Sequence, residues 1–264
     1  MLKNLQNLLK YRQLIQSLVA RELKARYRAS VLGFFWSFIN PLLLLLIYSF
    51  VFSIVLPNRA PDLTPYSLFM FCGILPWTWF AASLMESSNV LIAGGNLIKK
   101  VLFPAEVLPI VTVLANMVHF FLGLPILAIF LVYYQRVPHL SSLVWFPVVV
   151  LVQLIFTLAL ALLVSALTVH FRDFKDILQN VITFWFFATP IIYPMSMAAE
   201  RGGKIFLDMN PMTHVILSYQ EILFFTGGFG HWKWLLALGG VSVLLFFGGY
   251  FVFDRLRDTF AEEV

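Results

Sequence analysis

A basic segment that turns without a linker into a long uncharged one constrains this chain more than any other feature. Residues 21–56 read RELKARYRASVLGFFWSFINPLLLLLIYSFVFSIVL. Arg21, Lys24, Arg26 and Arg28 stand against one acid, Glu22, and the 26 residues from Val31 to Leu56 carry no charge. A bilayer core about 30 Å thick is crossed by roughly 20 apolar residues in a helix, so this run spans with some tilt. Lys and Arg are retained on the cytoplasmic side, which sends the span from inside to outside. Hydrophobic residues make up 61% of the sequence and charged ones 12%, with a mean hydropathy of +0.88. A soluble domain of that composition would expose large apolar patches. The net charge of +5 therefore belongs to membrane topology and not to a nucleic-acid partner.

The first 28 residues predict an amphipathic helix lying on the membrane surface. Ile15, Val19, Leu23 and Tyr27 share one face, and Arg21, Lys24 and Arg28 share another. An apolar stripe with a basic back suits the anionic cytoplasmic headgroup region, as a topology anchor or as a contact for an anionic lipid-linked substrate or a partner subunit. A cleaved signal peptide is not expected, because the charges continue to Arg28 with no short apolar core before it. The lone cysteine, Cys72, excludes an internal disulfide and reads as a small apolar filler.

Five more spans are predicted, at about 65–84, 107–134, 143–169, 177–193 and 234–253. Trp77 and Trp79 are candidate interfacial anchors of the second. Six spans place both termini in the cytosol. The segments then assigned inside carry thirteen Lys and Arg, and those assigned outside carry five, a bias in the required direction. Between the last two spans, 195–233 is too apolar for an ordinary loop, and 211–225 is too short and polar to cross. That combination predicts re-entrant or interfacial helices, with Asn210-Pro211 as a helix start and Gly227-Gly228 as a stop. The expected fold is an all-α integral membrane domain over 1–264. It has an interfacial helix at 1–28, a six-span bundle over 31–253 and a cytosolic tail at 254–264.

The energy source is constrained by what the sequence lacks. No G-x-x-x-x-G-K-[ST] phosphate loop is present, and no soluble stretch exceeds about forty residues, too few for a nucleotide-binding domain. Uphill transport driven by ATP would need another polypeptide to hydrolyse it. Two cytosolic segments could carry the coupling: ESSNVLIAGGNLIKKVLFP at 86–104, and the charged turn HFRDFKD at 170–176, which taken alone reads first as a solvated topology loop. Ion-driven carriers need ionisable groups near the bilayer centre, and His119 is the one such candidate. It lies on a polar stripe with Thr112, Asn116 and Gly123, read as hydrogen-bonded packing between helices before a proton relay. Glu106 sits at a helix start, where the dipole favours an acid.

Enzyme chemistry has little to stand on. The five histidines show no H-E-x-x-H spacing, and there is no G-x-S-x-G. His214 and Glu221, seven apart on one predicted helix face, form at most a weak acid–base pair. The aromatics, 17% of the chain, serve packing and interfacial belts first. An aromatic-lined conduit would also suit sugars, because pyranose C–H faces pack on rings.

Six stretches together carry a resemblance: LKARYRASVLGFFWSFINPLLLLLIYSFVFS (23–53), GILPWTWFAASL (73–84), NLIKKVLFPAEVLP (96–109), HFRDFKDILQ (170–179), TPIIYPM (189–195) and NPMTHVI (210–216). In that order, over nearly the whole chain, they resemble the membrane subunit of polysaccharide-exporting ABC transporters, which serve O-antigen, capsule and teichoic acid. The resemblance implies a homodimer with two ATPase subunits, in the bacterial inner membrane, exporting a lipid-linked polysaccharide. ATP and magnesium would sit on the partner, and no cofactor on this chain. It implies coupling contacts at Asn96, Lys99, Lys100, Arg172, Asp173 and Lys175. It further implies a pathway between the two copies lined by the first and fifth spans, for which Phe34, Trp36, Tyr48, Phe52, Trp185 and Tyr193 are the candidate residues. Arg26 and Arg28 are the candidates for the lipid head group. Two other classes compete: an ATP-coupled exporter of drugs or small lipids, and an intramembrane enzyme acting on lipid-linked sugars through His214.

Overall fold

The computed structural model describes residues 10–26, 28, 32–55, 63–100, 103–171, 173–200 and 202–263, and among these all regular structure is helical. In chain order the helices are α1 (Arg12–Arg26), α2 (Trp36–Phe50, prolonged by a π-turn Val51–Val55) and α3 (Tyr66–Ala93). There follow α4 (Gly95–Lys100), α5 (Val107–Tyr133), α6 (Leu140–Leu143), α7 (Phe146–His170) and α8 (Phe174–Phe187). The chain then forms α9 (Met195–Glu200), α10 (Lys204–Met209), α11 (Pro211–Leu223), α12 (Trp232–Leu256) and α13 (Phe260–Glu263).

Four stretches are long and apolar enough to cross a bilayer: Tyr66–Ala93, Val107–Tyr133, Leu140–His170 and Trp232–Thr259. Helices α3, α7 and α12 run parallel to one another, with Pro76 beside Gln153, Gly249 beside Ala159 and Thr259 beside His170. They pack in that order, and α5 runs antiparallel to them on the other flank of α3, with Glu86 beside Asn116 and Leu75 beside Gly123. Without a hydrophobic force between helices inside lipid, close backbone approach has to hold such a bundle together. Small residues supply it. A Cβ on Gly249 of α12 would lie 2.6 Å from the Ala159 carbonyl oxygen of α7, and one on Gly123 of α5 would lie 2.5 Å from Leu75 of α3.

The predicted first and fifth spans are helical but short. At a rise of about 1.5 Å per residue, α2 and α8 each cover only about 21–23 Å. The second is longer than its hydropathy indicated: α3 continues unbroken past Leu84 through Glu86, Ser87 and Ser88 to Ala93. Two expectations about its tryptophans are overturned. Trp77 and Trp79 are buried in the core, and Trp79 Nε1 donates to the Val113 carbonyl at 3.2 Å, so neither is an interfacial anchor.

The apolar stripe of helix α1 is shifted from the expected one. Leu18, outside the expected stripe, is its buried residue. It packs on Val107 and Val111 of α5, with Leu14, Ile15 and Val19 around it. The apolar face therefore meets protein, and Tyr27 lies outside the described residues. The three short helices α9, α10 and α11 follow α8, the last of them largely buried against α3, α7 and α12.

Candidate functional site

At the end of the bundle that receives α1, Arg26 points inward. Its Nη1 donates to Asn116 Oδ1 at 3.0 Å, Nη2 pairs with Glu86, and Nε lies 3.5 Å from Glu22 Oε1. Asn116 completes a triangle by donating its amide to Glu86 Oε2 at 2.7 Å and to the Thr112 carbonyl at 3.1 Å. The Arg26 and Glu86 side chains remain 21% and 40% exposed, so water screens the pair and its net worth is about 1 kcal/mol. Geometry is its larger contribution, since one guanidinium fixes α1 to both α3 and α5. Behind it a cavity of about 320 Å³ opens between α2, α3 and α5, lined by Trp36, Asn40, Leu44, Trp79, His119 and Phe120 among others. The polar stripe expected on α5 is thus packing, with Asn116 as its pivot.

The opposite end is organised by Asn210. Its side chain caps α11 by accepting from the Met212 N–H at 3.0 Å, and the same oxygen accepts the Trp185 indole N–H at 2.7 Å. Its amide donates to the Ala188 carbonyl and to Thr189 Oγ1, both at 3.0 Å. Pro211 follows at the first helical position, where its missing N–H is no loss. Trp185 is held edge-on against Phe80 at 5.2 Å. Beside it a cavity of about 590 Å³ is lined by Val181, Trp185, Tyr193, Phe206, Asn210 and Pro211. Aromatic faces with a few polar atoms at the edge suit a ligand that is part apolar and part hydroxylated.

A second polar cluster closes the loop from α11 to α12. His214 Nε2 donates to the Asp208 carbonyl at 2.8 Å, and its Nδ1 shares a hydrogen bond with His231 Nε2 at 2.9 Å. The His214 ring stacks on Trp234 at 4.8 Å and 6°. Glu221 accepts the N–H groups of Gly230 and His231, both at 3.1 Å, with its other oxygen 3.9 Å from His231 Nδ1. Burial and then the neighbouring His214 lower His231 to about 4, which keeps it neutral near pH 7. Burial pushes Glu221 up. The weak His214–Glu221 pair is corrected here: both side chains meet at His231, and the chemistry is a loop lock. Among the described residues no group of three His, Cys, Asp or Glu side chains could hold a metal ion.

The candidate residues fall into separate places. Trp185 and Tyr193 share the larger cavity, while Trp36 lines the smaller one at the other end. Tyr48 and Phe52 join a ring ladder to Tyr66, with centroids 6.4 Å and then 5.1 Å apart. Asn96, Lys99, Asp173 and Lys175 are exposed at the end where α1 docks, and so is Arg28. The side chains of Phe34 and Lys100, and all of Arg172, lie outside the described residues. Sequence reasoning missed Glu86 and His231 as organising groups. A single acid ending an apolar run was the only available signal for the first; nothing local marked the second.

Four long apolar helices packed side by side, a basic helix folded onto one end and short helices before the last long one define a class. Residues 13–224 match the ABC-2 type transporter family, and the chain belongs to that family of membrane proteins. It is 41% identical over 265 residues to the O-antigen export system permease protein RfbA of Myxococcus xanthus, with both chains covered in full. To the O-antigen export system permease protein RfbA of Klebsiella pneumoniae it is 35% identical over 242 residues, covering 92% of this chain and 91% of that one. The polysialic acid transport protein KpsM of Escherichia coli is 23% identical over 223 residues, covering 79% and 81%.

Proposed function

We propose that this chain is the permease subunit of an ABC exporter that moves a lipid-linked, O-antigen-like polysaccharide across the bacterial inner membrane. The observation that carries the reading is the 41% identity, along both full lengths, with a protein named as an O-antigen export permease. The sequence carries no phosphate loop, so ATP and magnesium belong to a separate ATPase subunit, two copies of which serve two copies of this chain. In this reading α2 with its π-turn and α8 are short crossings, which gives six spans with both termini cytosolic. Helices α9 to α11 form the re-entrant group, whose backbone is tolerated at membrane depth because protein covers it.

The second copy faces α8. Ile177, Val181, Phe184 and Phe187 form a stripe at helical spacing that is 46–74% exposed in the single chain. The pathway runs between the copies past Phe34, Trp36, Tyr48, Phe52, Trp185 and Tyr193, where rings offer apolar faces to the glycan. Asn96, Lys99, Lys100, Arg172, Asp173 and Lys175 contact the ATPases. Arg28 and Arg26 meet the anionic lipid end, Arg26 sharing its guanidinium with Glu86 and Asn116.

One export assay tests the whole reading. Deletion of the gene is expected to abolish long-chain surface glycan without sensitising cells to small drugs. Proteoliposomes holding chain and ATPase together are expected to export glycan only with ATP. Asp173→Lys should leave insertion intact while uncoupling hydrolysis from export, and Arg26→Ala with Arg28→Ala should weaken lipid-linked substrate capture. Export by the chain alone, or an unchanged surface glycan after deletion, would sink the proposal; unchanged capture by the double variant would remove the head-group assignment.

A further inference from the structure

The two segments assigned to ATPase contact, α4 and the turn from α7 into α8, are far apart in sequence. What joins them is the segment after α12. A 3₁₀ turn over Arg257–Thr259 leads into α13, and Phe260 at its start is fully buried. The Phe260 ring stands edge-on to Phe253 of α12 at 5.2 Å and to His170, the last residue of α7, at 6.2 Å. Ile98 of α4 and Phe103 pack against the same cluster, which also holds Leu91 at the end of α3 and Val169 of α7. Polar contacts flank the ring on both sides. His170 Nε2 lies 3.0 Å from Thr259 Oγ1, and Arg257 Nη1 lies 3.9 Å from Glu106 Oε1 at the start of α5.

Glu106 is almost wholly buried, and Arg257 sits between it and Asp254, whose Oδ1 lies 3.7 Å from Arg257 Nη1. The α4 helix has only six residues and would not hold its place by its own hydrogen bonds. Its seat is the apolar cluster into which Phe260 inserts.

We infer that the segment 257–263 is a positioning element, with Phe260 as its key residue, that binds α4 and the α7–α8 turn into one body. A force applied beneath either segment then moves both, along with the lower ends of α3, α5 and α12. This deepens the coupling assignment proposed above and rests on it for the identity of the docked partner. The mechanical part concerns this chain alone: without the inserted ring, α4 and the turn move independently.

The experiment places spin labels at positions 96 and 173 of the full chain in lipid nanodiscs (N96C and D173C), where the buried Cys72 stays unlabelled. With labelled chain diluted into an excess of unlabelled chain, so that only distances within one copy are read, the label-to-label distance is expected to form one narrow distribution. Phe260→Ala should broaden it, and Phe260→Leu, which keeps most of the apolar volume, should restore it. In the unlabelled complex, Phe260→Ala should retain the ATPase and its basal hydrolysis while glycan exported per ATP falls about tenfold, the scale of a typical coupling free energy. If Phe260→Ala fails to accumulate, Thr259→Val, which removes the hydroxyl's contacts to His170 and to the Leu256 carbonyl one turn back and leaves the Phe260 ring in place, must still broaden the distribution. An unchanged distribution in the variants that fold, or loss of basal hydrolysis in step with export, overturns the inference. If the unaltered chain retains no ATPase, the docking assignment fails, and the label distances alone still decide the positioning role.

Discussion

Asn210 ties two pieces of chain with one side chain: the first turn of α11, and the end of α8 through the Trp185 indole, the Ala188 carbonyl and the Thr189 hydroxyl. Removing it leaves an uncapped helix and a half-buried indole N–H with no acceptor. Each loss is of known scale, about 1 kcal/mol for the cap and about 2 kcal/mol for the orphaned donor. Asn210→Ala is therefore expected to destabilise the chain by about 3 kcal/mol, read as a clear drop in melting temperature in detergent. Asn210→Asp, which keeps the capping oxygen, should lose less; equal melting of the alanine variant would show that the contacts are idle. The capping role was legible, because Asn-Pro before an apolar run is a helix-start signal with a local mechanism. The bond to Trp185 was not, since its partner lies 25 residues away. Arg26 shows the same limit. Its charge follows from sequence, but its inward aim depends on Glu86 and Asn116, which only the packing of α3 and α5 brings near.

At the level of helices, hydropathy located the elements well and their ends poorly. It marks where lipid stops, whereas a backbone hydrogen-bond ladder stops only at a breaker or a cap. Glu86, Ser87 and Ser88 interrupt the first and not the second, so α3 runs on until Gly94. The tryptophans of α3 were misplaced for a related reason, because sequence does not say which face of a span meets other helices. Glycines carry the complementary information and can be tested in pairs. Gly249 faces the α7 backbone, while Gly248 has open space where a Cβ would go. Gly249→Ala must push α12 off α7 and is expected to cost about 2 kcal/mol, the usual scale of overpacking. Gly248→Ala should be neutral or slightly stabilising through its higher helix propensity. Matching melting temperatures for the two variants would mean that the α7–α12 contact is looser than drawn here.

For the molecule as a whole, the charge bias and the fold agree about which residues share an end. Arg26, Glu86, Asp173, Arg257 and Phe260 gather at one end of the bundle. Thr64, Arg136 and Phe224 meet at the other, where the Arg136 guanidinium donates to the Thr64 carbonyl at 2.7 Å and lies over the Phe224 ring at 4.9 Å. Cysteines introduced at 173 and 233 should therefore label from opposite sides of intact inner-membrane vesicles, with 10 on the same side as 173. Labelling of 173 and 233 from one side would refute the topology however well the helices pack. What sequence could not supply at this scale is the depth of the short helices. Segments of 13 to 15 residues are compatible with crossing, re-entering or lying flat, and neighbours decide among these.

The unbroken run of α3 has a mechanical meaning. Its 28 residues make a beam about 42 Å long. One end stands in the apolar cluster around Phe260, and at the other Tyr66 donates its hydroxyl to the Ile192 carbonyl, close to the aromatic hollow. A lean of about 10° at the lower bearing would carry the far tip sideways by roughly 7 Å, more than the width of a sugar ring. A modest nudge at the Ala93 end can thus become a wide swing at the Tyr66 end, with no relay of small adjustments in between.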